Sequence, residues 1–275
     1  MFSEKDSTSI PVNAQMVTDG FRAAGAAPGD TLFYHGSLRS MGMVEDGPRT
    51  VIDGALEAAA PHGTIAMPTL WYHVTSQRPE DFDVRTSPSW VGALSEGFRR
   101  DPRSVRSNNF SHSISAIGQR AFELTSGHDK CAPLHTPWSE TAFSDGSPWW
   151  RLNEWNALYC FIGVDMLVCT MKHYCEARLV AEYLARAEPS RRDALHSRLI
   201  HFGVPGGLWP SYNSGAMGEL FIVRGLVKTA RIGSATILAI RTRTFVEETM
   251  TLLRNEPEKW YNKEFLEWHR ECTCK

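Results

Sequence analysis

From residue 14 to about residue 255 the chain alternates short apolar runs with longer amphipathic segments. That alternation limits what it can fold into. AQMVTDGFRAAG (14–25) reads as an amphipathic helix closed by Gly25, and DTLFYHGSL as a strand ending in a Gly-Ser turn. PRTVIDGALEAAAPHG is a helix with Pro48 near its start and Gly63 past its end, and TIAMPTLW a second strand. SPSWVGALSEGFRRDP gives a helix with Ser87 as cap and Pro88 in its first turn. SVRSNNFSHSISAIG holds a polar turn and a short alternating strand, QRAFELTSGH is a short helix, and 129–150 reads as loop. NALYCFIGV is a strand and 170–187 a helix. VPGGLWPSYNSGAMG (204–218) reads as a long irregular loop, LFIVRGLVKTARIGSATILAI as one or two strands, and RTFVEETMTLLRNEP as a closing helix. This order predicts an α/β fold, a layered α/β/α arrangement with a central mixed sheet. No repeat or Gly/Ser linker divides it. The expected organisation is a flexible segment at 1–13, one domain over 14–255, and a C-terminal helix or tail at 256–275 whose last residues, ECTCK, are frayed.

With a net charge of −2 and no long basic run, a nucleic-acid partner is not expected. Neither a secretory signal pattern nor an apolar run of membrane-spanning length is present, so a cytosolic protein without a membrane partner is the default expectation. The six cysteines form no C-x-x-C pair and read as free thiols of a reducing compartment. The P-loop, G-x-G-x-x-G, H-E-x-x-H and G-x-S-x-G patterns are all missing, which disfavours the common nucleotide, zinc-protease and α/β-hydrolase chemistries.

The chemistry must therefore lie in a less generic pattern. CTMKHYCEARLVAEYL (169–184) follows the ALYCFIGVD strand. As a helix it places Cys169, His173 and Glu176 at i, i+4 and i+7, on one face. A thiol, an imidazole and a carboxylate on one stripe fit a metal site, a nucleophile with its base, or a packed core face. Zinc would need further ligands from elsewhere, and neither His112 nor His135 has a spacing that demands that role.

Several blocks are informative together: YHGSLRSMGMVEDGPRTVIDGALEAAAPHGTIAMPTL (34–70), DFDVRTSPSWVGALSEGFRR (81–100), VRSNNFSHSISAIG (105–118), DGSPWWRL (145–152), FIGVDMLVCTMKHYCEARLVAEYL (161–184) and GLVKTARIGSATILAI (225–240). In order and spacing they resemble the aminoglycoside 3-N-acetyltransferase family, over roughly residues 14–250. The resemblance implies that family's own large α/β fold and transfer of an acetyl group from acetyl-CoA to an amine. It implies a CoA surface at the His35-Gly36-Ser37-Leu38-Arg39-Ser40 turn and at Arg85 and Ser87. Backbone N–H groups, small side chains and two guanidiniums there suit a pyrophosphate. It implies His173 as general base on the attacking amine, with Glu176 orienting the ring. Thr170 is a hydroxyl donor to the thioester oxygen or oxyanion. His112 and Ser113 lie near the pantetheine arm or the acetyl group, and no metal is expected.

The chain also departs from the family pattern. Where members read Asp-Ser-Asn before the family's threonine, this chain has Leu167-Val168-Cys169. From Val204 to Gly218 there is no acid, and Tyr212 and Asn213 stand about where acids are expected. A polycationic aminoglycoside needs a carboxylate-lined cleft. Trp138, Trp149, Trp150, Trp209 and Tyr212 point to a more aromatic site and a less charged amine from a natural-product or antibiotic-like class. Three readings stay open. One is a CoA-dependent N-acyltransferase, with an acyl-carrier protein as alternative donor. Another is acyl transfer or thioester or amide hydrolysis through Cys169. The third is a non-catalytic binding protein. A homodimer is one open outcome for the assembly.

Overall fold

The computed structural model describes residues 10–72, 77–203 and 206–273. Seven strands form one mixed sheet: β1 (Thr31–Gly36), β2 (Thr64–Pro68), β3 (Val105–Arg106), β4 (Ile114–Gly118), β5 (Leu158–Ile162), β6 (Lys228–Ile232) and β7 (Ala235–Arg241). Their order is β3-β4-β2-β1-β5-β7-β6. The middle strands β2, β1 and β5 run parallel, and the flanks β4 and β7 pair antiparallel to them. The parallel strands are buried on both faces and are continuous apolar runs, as such strands must be.

Alternation along the strands builds two cores. Leu32 and Tyr34 of β1 and Leu158, Cys160 and Ile162 of β5 face one way. They pack under α1 (Ala14–Ala23), α2 (Pro48–Ala58) and α3 (Ala93–Arg100). Phe33, Tyr159 and Phe161 face the other way, into a larger aromatic core. That side is closed by α4 (Ala121–Thr125), α5 (Pro148–Glu154), α6 (Met171–Arg186), α7 (Arg192–His196), α8 (Ser214–Val223), α9 (Thr242–Asn255), α10 (Pro257–Trp260) and α11 (Lys263–Thr273). The α/β/α layering follows.

The structure corrects several expectations. Val12 is buried and bridges to Val44, and Asn13 caps α1, so residues 12–13 are not frayed, while Ile10 is exposed; residues 1–9 lie outside the described residues. The helix placed at Ser87 starts only at Ala93, after Gly92. The 129–150 loop ends where Ser147 caps α5, with Pro148 at its first position. In the 204–218 loop, Asn213 caps α8, which takes up the run expected as strand from Leu220 to Val223; Val204 and Pro205 lie outside the described residues. The helix expected to close the chain, α9, is followed by two more. Phe265, Trp268 and Cys272 of α11 are buried, and the Trp268 indole donates to the Leu195 carbonyl. The frayed-tail reading fails for Cys272; Cys274 lies outside the described residues. Among the described residues, no helix is long and apolar enough to cross a membrane.

Candidate active site

β1 connects to β2 on one side and lies beside β5 on the other, so a crevice opens at the carboxyl ends of these strands. A cavity of about 760 Å³ occupies it. Its wall includes His35 and Gly36 from the end of β1, Pro68 from the end of β2, and Thr170 and His173 beyond β5. Gly163, at the end of β5, has φ +62, and a Cβ there would stand 1.8 Å from Ser40 Oγ. Only glycine lets the chain leave β5 against the turn after β1.

Past Gly163 the chain turns sharply into α6. The Asp165 carboxylate accepts from the Leu167 N–H at 2.8 Å, capping a short 3-10 turn over Met166–Val168. Thr170 then holds the N-cap position of α6. His173 and Glu176 fall one turn apart on that helix, and His173 Nδ1 lies 2.7 Å from Glu176 Oε2. The Trp209 indole N–H donates to the same oxygen at 2.9 Å. Glu176 is fully buried, and among the described residues its Oε1 takes no hydrogen bond; the Lys172 ammonium lies 3.9 Å from it. With Nδ1 bonded to a carboxylate, Nε2 is the nitrogen left for a substrate. The half-open His173 ring lines the cavity and packs on Trp138 at 4.1 Å between centroids.

The single stripe of Cys169, His173 and Glu176 does not form. Cys169 precedes the helix, in extended backbone, and its thiol turns to the Tyr159 hydroxyl. That hydroxyl lies 2.8 Å from His35 Nε2 and accepts from the Thr170 N–H at 3.2 Å. Burial pushes the Cys169 thiol up to about 12 and holds the His35 imidazole down at about 3. At neutral pH both are uncharged. The Thr170 backbone donor is spent on Tyr159, so its hydroxyl is the donor left for the cavity that the residue lines.

His112 also lines the cavity, with its ring centroid 5.8 Å from that of His173. Ser111 Oγ lies 3.1 Å from its Nδ1, Asn109 accepts from its backbone N–H, and the Trp149 indole donates to its carbonyl. Burial holds His112 well below its ordinary pKa, so it is neutral. Ser113 does not reach the cavity. It is fully buried, donates to the Thr69 carbonyl and accepts from Arg106 Nε. Arg106 also donates to the carbonyls of Thr69 and Ser87, which fastens the 83–91 segment to the sheet edge.

Of the expected donor-side residues, His35 lines the cavity, and Ser37, Leu38, Arg39, Ser40, Arg85 and Ser87 do not. Ser37 caps the short turn Leu38–Met41; its own N–H goes to the Ile162 carbonyl, and Ser40 Oγ donates to its carbonyl. Arg39 and Arg85 are exposed. Ser87 caps no helix; it accepts from the Asp83 N–H and holds the local turn together. Of the five expected aromatics, only Trp138 lines the cavity. Trp149 backs His112 and Trp209 backs Glu176. Trp150 is half-buried against the large core, and Tyr212 is buried with its carbonyl accepting from Lys172. Asn213 is a helix cap and not a wall residue. Sequence reasoning missed Tyr72, Trp90, Ser111 and Lys172 in the wall, and Tyr159 behind it. Nothing local marks them, although Lys172 stands inside the block that carries the histidine.

A strand-end cavity with a histidine on a buried carboxylate defines a class of enzyme able to move a proton at a bound small molecule. The comparisons make the class specific. Residues 33–254 match the family model for aminoglycoside 3-N-acetyltransferase. Aminoglycoside N(3)-acetyltransferase VIII of Streptomyces fradiae is 25% identical over 259 residues, covering 82% of this chain and 86% of that protein. Two solved structures have the same fold. AAC-IIIb bound to CoASH has a TM-score of 0.69 at 20% identity, covering 92% of this chain and 99% of the other. A variant of AAC(3)-IVa in complex with a gentamicin has a TM-score of 0.71 at 22% identity, covering 97% and 98%. The chain belongs to the aminoglycoside 3-N-acetyltransferase family. By that membership it is an N-acetyltransferase.

Proposed function

We propose that this enzyme transfers acetyl directly from acetyl-CoA to the amine of a small, weakly charged acceptor, with His173 as general base. The observation that carries the reading is the His173–Glu176 contact at 2.7 Å in the cavity wall, with Nε2 left for the acceptor. His173 Nε2 takes a proton from the acceptor nitrogen as that nitrogen bonds to the thioester carbonyl carbon. The C–S bond then breaks, and the departing CoA thiolate takes the proton, which restores neutral His173. Buried Glu176 stabilises the imidazolium between these steps, a service worth most away from water. The Thr170 hydroxyl supplies a hydrogen bond to the oxyanion. Arg39 and Arg85, both exposed and outside the cavity wall, are the cations assigned to the pyrophosphate in this reading.

Two observations favour this over the Cys169 route. A thiol with a pKa of about 12 holds almost no thiolate at pH 7, and although Cys169 lines the cavity, its thiol is engaged by the Tyr159 hydroxyl. The weakly charged acceptor rests on the wall itself. Among the described residues lining the cavity there is one ammonium, Lys172, and no carboxylate. A polycationic sugar would have to desolvate its charges there without a partner.

Calorimetric titration with acetyl-CoA, followed by intact-protein mass spectrometry and an amine screen, tests the reading. Binding with no mass gain, and turnover abolished in His173→Ala with acetyl-CoA affinity kept, is expected. An acyl adduct lost in Cys169→Ser would overturn it.

A further inference from the structure

Apart from the active-site cavity, three imidazoles from two stretches of the chain face one another. His135 lies in the connection before α5, His196 is the last residue of α7, and His201 follows the Leu199 position that bridges to Leu208. One ring nitrogen from each lies within 4.8 Å of the others. The ring centroids are 4.5, 4.6 and 5.1 Å apart, and each pair meets edge to face.

Packing alone leaves this arrangement unexplained. His135 Nε2 is buried and has no hydrogen-bond partner among the described residues. The Ile200 backbone lies beside the same ring. A buried imidazole nitrogen with no partner, beside two further imidazoles, is available as a metal ligand. Among the described residues no carboxylate joins the trio within the same reach, so no ion pair there accounts for the grouping. Three nitrogens bound tetrahedrally at about 2.0–2.1 Å from one ion stand about 3.3 Å apart, so small ring movements would close the site. His135 and His201 also line a second cavity, of about 570 Å³, which leaves a fourth position open to solvent or a small ligand.

We propose that His135, His196 and His201 bind one divalent transition-metal ion of the zinc class. Imidazole ligands select that class over magnesium and calcium. The ion would tie the loop that runs on to Trp209 against the connection that carries Trp138. The His135 ring already lies 6.0 Å from that of Trp209, whose indole holds Glu176. The ion therefore positions a partner of the Glu176 carboxylate and takes no part in acetyl transfer.

Untagged full-length protein, stripped with EDTA and dialysed, is titrated with Zn²⁺ by calorimetry and with Co²⁺ by visible absorption. One equivalent per chain is expected, with the intense visible bands of four-coordinate Co²⁺. His196→Ala and His201→Ala should each weaken Zn²⁺ binding by ~10-fold or more. Circular dichroism in EDTA checks that both variants fold. If one does not, X-ray absorption on the Zn²⁺-loaded wild type decides, where a shell containing three imidazoles supports the site. Absence of stoichiometric uptake at micromolar zinc, unchanged affinity in folded variants, or a shell containing sulfur would overturn it.

Discussion

Trp209 and His173 meet on one oxygen of Glu176, at 2.9 and 2.7 Å, although they come from different segments of the chain. The indole N–H fixes the carboxylate, and the carboxylate fixes the imidazole. Glu176→Gln keeps the shape and removes the charge that stabilises the imidazolium. Its kcat should fall about 10²–10⁴-fold, the usual share of an acid–base group, with KM for acetyl-CoA nearly unchanged. Trp209→Phe removes one hydrogen bond to a charged group, worth about 1.5–3 kcal/mol, so a fall of about tenfold or more is expected. Steady-state thiol-release assays distinguish the two. Equal small losses in both would show that the carboxylate is only a packing group.

Cys169→Ser tests the alternative route. The hydroxyl can keep the bond to Tyr159, and a buried thiol with a pKa of about 12 has no thiolate to lose at pH 7. Activity should stay within about threefold of wild type, since no acyl-enzyme is at stake. Loss of turnover in a folded variant would assign the sulfur a chemical role.

The buried histidines set an acid limit on stability. His35, His112 and His128 are all held below the ordinary imidazole value, chiefly by burial, His128 to about 4 and His35 to about 3. Their folded pKa values are depressed, so the unfolded chain binds more protons below about pH 6.5. Their contribution is complete above about pH 6.5 and is lost as pH falls toward 4 and below. Each can add up to about 1.4 kcal/mol per pH unit to the slope. His128 also bonds Ser107 Oγ and the Ala142 carbonyl, so His128→Asn will cost stability at pH 7.5. Its denaturant midpoint should nevertheless fall less steeply between pH 6.5 and 4.5 than the wild type's. Parallel slopes would place the acid sensitivity elsewhere.

Much of this was legible in the chain. The apolar runs gave the parallel strands because strands buried on both faces cannot alternate. The histidine block gave His173 and Glu176 because helical spacing brings them together. Other contacts depend on side chains far apart in sequence. Trp209 on Glu176, Tyr159 behind Cys169 and Arg106 on Ser87 span 33, 10 and 19 residues or cross the sheet, and no local pattern encodes them. The start of α3 was misplaced for a different reason. Ser87 and Pro88 form a good local start signal, but the chain spends Ser87 on Asp83 and Arg106 instead. The non-helical 83–92 stretch this leaves, a turn followed by irregular chain, carries Trp90 and Val91 to the cavity wall.

Trp268 tests the C-terminal helix as part of the large core. It is fully buried on Phe265 and donates to the Leu195 carbonyl. Trp268→Ala should destabilise the protein by about 3–5 kcal/mol, through the cavity and the orphaned carbonyl together. Denaturant unfolding measures it. A change under about 1 kcal/mol would mean that α11 is an appendage.

The acceptor prediction turns on Leu167. It lines the cavity, is 63% exposed, and stands at the first of the three positions where the family pattern is Asp-Ser-Asn. Because it is so exposed, Leu167→Asp should change stability by no more than about 0.5 kcal/mol. The new carboxylate would be the first among the described residues of that wall. An ammonium within about 4 Å of it near the surface gains between about 1 and 4 kcal/mol. At low salt, kcat/KM for a polycationic aminoglycoside should rise about tenfold or more, and kcat/KM for a neutral-bodied monoamine should change little. Salt at about 1 M shortens the screening length to about 3 Å and should remove most of the gain. An equal rise for both acceptors, or one that survives high salt, would mean that wall charge does not choose the acceptor. A wild-type enzyme that already acetylates aminoglycosides efficiently would point the same way, and the acidic contacts would then have to come from outside this cavity.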